Sequence, residues 1–85
     1  VTTENKNKTV EYVVKGDGVF LEAFVSLSGA RTYVRDLSVI LGITNMPATV
    51  QIIKVISVSI TMNEYVVEPS VNMTSVDTFD GIDLA

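Results

Sequence analysis

The residues in this chain that could do chemistry are carboxylates, two arginines and a glycine-bracketed aspartate. Asp77-Thr78-Phe79-Asp80-Gly81-Ile82-Asp83 sets three carboxylates around a glycine, the raw material of a calcium loop. Such a loop between two helices needs acids at alternate positions and a late Glu. Neither is present here. The same segment also reads as an acidic-apolar peptide that docks on a partner, with Phe79, Ile82 and Leu84 as anchors. Arg31 and Arg35 are four residues apart and could hold an anion, although Asp36 and solvent are their ordinary partners. Gly16-Asp17-Gly18 would cradle a phosphate only if a helix N-terminus followed. A strand pattern follows instead, so the triplet predicts a hairpin turn.

The 85 residues include no His, no Cys and no Trp. Zinc sites of the usual type, haem ligation, Cys nucleophiles and His general bases are thereby excluded. A Ser-His-Asp triad cannot form within one chain. Carboxylate, Ser–Lys and hard-metal chemistries remain open. No spacing places two carboxylates in a shared cleft. The expectation is a protein that is not an enzyme. No catalytic, cofactor-binding or metal-ligating residue is nominated, and no cofactor is expected.

Val, Ile and Thr together supply 31 of 85 residues. These side chains are stiff at χ1 and suit a pleated sheet. Leu and Ala, the helix builders, total nine. The length allows one domain with a modest core. Net charge is −4, unevenly distributed. Residues 1–54 hold six bases and five acids, and residues 55–85 hold five acids and no base. That acidic half is unsuited to phosphate, so neither nucleic acid nor membrane insertion is expected. The first residues show no secretory-signal pattern. The opening Val leaves initiator-Met removal and processing both open. Asn7-Lys8-Thr9 and Asn72-Met73-Thr74 fit the N-glycosylation acceptor.

Residues 1–9 are polar, without periodicity, and read as a flexible N-terminal arm. Val10–Lys15 and Val19–Leu27 read as a hairpin. In 28–43, Tyr33, Leu37, Ile40 and Leu41 fall on one helical face, with Ser28 as cap and Gly42 as stop. That segment is expected as helix. Ala48–Met62 carries an apolar pattern with phase slips, which predicts a strand with a bulge or bend. A two-residue turn at Asn63-Glu64 would set Met62 opposite Tyr65 and Ile60 opposite Val67. Pro69 lacks an N–H, so the last strand should be an edge or end there. Residues 71–85 read as an acidic C-terminal tail with sparse anchors, leaving 10–70 as one β-rich domain. The expected fold is α+β and β-rich, a small sheet of about four strands in the order hairpin, helix, hairpin, with flexible polar tails. If 28–43 were strand, an all-β sandwich or barrel would follow.

Leu37–Asn63 holds one charge, Lys54, in 27 residues. A membrane span would need about 20 predominantly apolar residues, and Asn45, Pro47, Gln51, Lys54, Ser57 and Ser59 interrupt this run. Val55–Asn63 is uncharged and free of Pro and Gly. Such a segment must pair internally or join other chains. Within it Val55, Ile56, Val58 and Ile60 are the candidate interaction residues, beside Phe79, Ile82 and Leu84 of the tail.

Leu41-Gly42-Ile43-Thr44 and Pro47-Ala48-Thr49-Val50 lie within a stretch, 37–56, that resembles part of a helix-turn-helix repressor. The resemblance covers about a quarter of the chain. It implies a recognition helix across 48–56 and DNA as partner. Asn45-Met46 would be an insertion in the tight turn, and only Gln51 and Lys54 would be offered to DNA.

Taken together, these features point to a non-enzymatic structural or assembly module. A viral capsid or decoration subunit or a surface-filament subunit would fit, acting through β-strand and tail contacts between chains. The partner would be the chain itself, as a homo-oligomer or larger assembly, or another protein. A virion or cell-surface setting is favoured over the cytoplasm. The alternative is a small acidic regulatory binding protein, either an inhibitor of a nucleic-acid-binding protein or the repressor that the resemblance implies.

Overall fold

Three long strands and one short strand form the sheet, and a computed structural model describes its backbone at residues 4–62 and 65–84, with side-chain burial at 6–60 and 70–84. Strands β1 (Glu4–Gly16) and β2 (Val19–Phe24) are followed by helices α1 (Leu27–Arg35) and α2 (Leu37–Leu41). A single 3₁₀ turn at Ile43–Asn45 leads to β3 (Thr49–Met62), β4 (Tyr65–Asp80) and a last helical turn, α3 (Gly81–Leu84). The sheet is antiparallel, in the order β2-β1-β3-β4. This is a small, β-rich α+β fold with an open sheet, not a closed barrel.

The first turn is tighter than the Gly-bracketed triplet suggested. Gly16 pairs with Val19, leaving only Asp17 and Gly18 in the loop. Both have positive φ, 50° and 79°, which matches the twist of the flanking strands. A bulge sets Val14 opposite Glu22 but Lys15 opposite Phe20, so Leu21 is the extra residue.

The segment 28–43 is helical, as its periodicity predicts, but the helix starts earlier and breaks once. Ser26, not Ser28, caps α1, its hydroxyl oxygen accepting from the Gly29 N–H at 3.2 Å. The chain kinks at Asp36 (φ −97°, ψ 8°) before α2. The inward face keeps one stripe: Ala30, Val34 and Leu37 are buried and Leu41 partly so, whereas Ile40, to the side of it, is 51% exposed. Gly42, at φ 86°, ends α2 as expected.

β3 is straight in register where phase slips were expected. It pairs with β1 without a break from Met62–Glu4 to Val50–Gly16. The irregularities lie in β4. One sets Ile52 opposite Asp77 and Ile53 opposite Ser75, leaving Val76 extra. The other falls between Val67 and Ser70, at Glu68-Pro69. Ile60 pairs with Val67 and Met62 with Tyr65, the predicted register. The predicted turn residues, Asn63 and Glu64, lie outside the described residues. β4 is an edge, as Pro69 suggested, but it does not end there. The bulge absorbs the proline and pairing resumes at Ser70.

Both expected tails carry strand. Residues 4–9, read as an arm, pair with Ser57–Met62. Residues 71–80, read as tail, are the second half of β4. Polar side chains hide such strands from a periodicity search, because the main chain alone supplies their ladder. The recognition helix that the helix-turn-helix resemblance implies across 48–56 is not formed: residues 49–56 open β3 instead. β-Branched residues resist the helix and favour the pleat.

The core occupies one end. Val14, Ala30, Val34, Leu37, Val50 and Ile52 are buried where α1 and α2 lie on the sheet. Partly buried Tyr12, Phe24, Tyr33, Phe79 and Leu84 rim them, with the Phe24 and Tyr33 rings 5.3 Å apart. Beyond them the sheet continues as a three-stranded ribbon. The molecule spans 59 × 19 × 17 Å with a radius of gyration of 16.7 Å. A compact 85-residue domain would have about 12 Å.

Candidate functional site

Pleating sorts the ribbon into two faces. On the front, the helix side, Val10, Ile56 and Asn72 form one cross-strand row and Lys8, Val58 and Ser70 the next. Ile60 follows beside Lys6. On the back, Ala23, Val13, Ile53 and Ser75 share a row. Glu11, Val55 and Met73 share the next, and Thr9, Ser57 and Val71 another.

The four β3 candidates are thus divided. Val55 faces the back, while Ile56, Val58 and Ile60 face the front beyond the reach of the helices. Both edges of β3 are occupied, so the uncharged strand is paired internally. Yet residues 53–60 are all only half-buried, because no second layer among the described residues covers either face. Val71 and Met73 beside them are 54% and 66% exposed. Their place on the back depends on the Val76 bulge. Phe79 and Asp77 face the front opposite Val50 and Ile52, and one extra residue switches the phase of everything before it. Sequence alternation alone would have put Val71 and Met73 on the same face as Phe79.

The C-terminal candidates separate. Phe79 and Leu84 pack against the core, while Ile82 is 83% exposed. The three carboxylates of this segment do not converge. Asp77 accepts from Arg31 Nε at 2.9 Å, Asp80 accepts from the Ile82 N–H at 3.3 Å, and Asp83 is exposed. Among the described residues no group of three or more His, Cys, Asp or Glu could hold a metal. Gly81 has a packing role instead. Its N–H donates to the Ala48 carbonyl at 2.9 Å, and a Cβ there would overlap the Pro47 carbonyl oxygen.

Arg31 and Arg35 line an open cavity of about 480 Å³ with Val34, Asp77, Phe79 and Leu84. Both arginines pair with carboxylates. Arg31 is paired with Asp77, and Arg35 donates through Nε and an η-nitrogen to the two Asp36 oxygens at 3.1 and 3.2 Å. That contact lowers the Asp36 carboxyl below its ordinary pKa and raises the Arg35 guanidinium. Across the helix, burial and then the nearby Glu22 charge raise the Tyr33 phenol. Among the described residues no buried side-chain nitrogen or oxygen lacks a hydrogen bond.

Asp17 was legible only as a turn residue. Its carboxylate accepts from the Ala48 and Thr49 N–H groups, both at 3.0 Å, and its own N–H donates to the Thr49 carbonyl at 2.9 Å. The turn therefore clamps the start of β3. No helix among the described residues is long and apolar enough to cross a membrane. The chemically distinctive surface is the uncovered ribbon, with its half-buried apolar faces and open edges. Comparison with protein-family models, curated proteins and solved structures finds no match.

Proposed function

We propose that this chain is a non-enzymatic assembly module, a subunit whose uncovered ribbon is completed by contact with other copies. One observation carries the reading. Half of the sheet bears half-buried Ile53, Val55, Ile56, Val58 and Ile60, with no second layer over them among the described residues. A three-stranded sheet needs a packed hydrophobic face to be stable by itself. Apolar surface of this kind on a soluble protein marks an interaction site. A capsid, decoration or surface-filament subunit has that requirement, since its interior is finished only on assembly.

Sedimentation velocity and native mass measurement over a wide concentration range test it. The expected result is concentration-dependent association that strengthens with sulfate, as apolar burial does. An acidic protein docking on a basic surface would instead bind a cationic partner and weaken with salt. A chain that stays monomeric at millimolar concentration, with the ribbon amides exchanging freely, would sink the assembly reading.

A further inference from the structure

We infer that β4 pairs with β4 of a second copy along Ser70–Thr74, antiparallel and centred on Asn72, joining two sheets edge to edge. This rests on the assembly reading and specifies its contact.

The sheet has two open sides. On one, β2 covers β1 only from Tyr12 to Gly16, leaving the β1 edge open from Glu4 to Glu11. Glu4, Lys6, Lys8 and Glu11 put four charges into those eight residues, and edge charges oppose strand addition. β2 itself is six residues long, bulged at Leu21, and carries Glu22. On the other side, β4 has no strand beyond it among the described residues. Ser70–Val76 carries no charge, Pro or Gly.

Two irregularities set the limits of that edge. Pairing is unbroken from Ser70–Val58 to Ser75–Ile53, with the Glu68-Pro69 bulge before it and the Val76 bulge after it. Bulges twist a strand and interrupt its ladder, so the regular window is six residues. Val71 and Met73, 54% and 66% exposed, are its apolar side chains on the back face.

The window is self-complementary. Antiparallel pairing about Asn72 sets Val71 against the second copy's Met73, Met73 against its Val71, and Ser70 against its Thr74. Both copies use the same surface, as a two-fold contact requires. The four apolar side chains gather beside the half-buried Ile53 and Val55 of each copy. Each copy carries a net charge of −4, and like-charged copies repel. A window without charge is where they can approach. A five-residue strand pair buries less than the roughly 1,200 Å² of a stable complex, so this contact by itself is reversible.

The parent chain has no Cys, so Asn72→Cys places one thiol at the two-fold axis. Residues directly opposite in such a pair have Cβ atoms about 4.5–5.5 Å apart. Unglycosylated protein, oxidised or treated with a short bis-maleimide, is expected to give a covalent dimer several-fold faster than Lys8→Cys on the β1 edge. Met73→Lys, with its circular dichroism unchanged, is expected to weaken association at least tenfold. Equal cross-linking of the two Cys variants, or unchanged association of Met73→Lys, overturns the inference. If the parent chain still associates in that case, the contact lies elsewhere and the assembly reading stands. A strictly monomeric parent ends both.

Discussion

Asp17 and Gly81 do more than their types announce. Asp17 joins two segments 31 residues apart through charge-assisted bonds to the Ala48 and Thr49 N–H groups. Asp17→Ala removes both bonds and places a Cβ without turn preference at φ 50°. A loss of about 1–3 kcal/mol is expected from the urea midpoint. Gly81→Ala must displace Pro47 or detach α3, and a similar loss of about 1–3 kcal/mol is expected by the same measurement. Tyr33 gives a pH dependence. Its phenol is raised above 10.0 by burial first and by Glu22 second. The neutral form is thus favoured in the fold, a contribution present below the unfolded value and lost as pH rises through the folded one. In an ultraviolet titration the Tyr33 phenol should ionise late, and Glu22→Gln should bring it part of the way back.

At the scale of elements, the helical segment hinges on Leu37. It is fully buried at the junction of α1 and α2. Leu37→Ala is expected to cost about 2–5 kcal/mol, read from the thermal or urea midpoint. Much of this level was legible in the sequence. The first hairpin, the helix across 28–43, the Gly42 stop, the apolar β3 and the Ile60–Val67 register all follow from period and turn chemistry. The inward helix face differs from the sequence expectation at Ile40, because the buried stripe runs through Ala30, Val34, Leu37 and Leu41 and leaves Ile40 at its flank. β4 was missed beyond Pro69. Its residues are polar or sparse because they line an edge and fold by main-chain pairing, which leaves no alternation to detect. The candidate residues were found in part. Ile56, Val58 and Ile60 stood out as apolar, but Val71 and Met73 emerge only once the Val76 bulge fixes their face.

For the whole molecule, elongation is the property that solution measurements can address. A radius of gyration near 16.7 Å is expected by X-ray scattering for the isolated chain at low concentration. The six buried core residues all lie at the helical end. Hydrogen exchange should therefore be slowest at Val14, Val50 and Ile52, with residues 53–60 exchanging faster until the chain associates. Uniform protection along β3 in a verified monomer would contradict an uncovered ribbon.

By itself the sequence determined what kind of protein this is in chemical terms. The missing His and Cys remove most reactive groups, and the 31 β-branched residues commit the chain to a sheet. Both are properties of single residues, so composition carries them. Which side chains share a face, which strands lie at the edges and where the core stops were decided only by the tertiary structure. Each depends on register, and one extra residue such as Val76 reverses the face of every residue before it. The acidic C-terminal half shows the difference. Its charge was plain from the sequence, but only folding divides it into Asp77 paired with Arg31 and an uncharged edge running from Ser70 to Ser75.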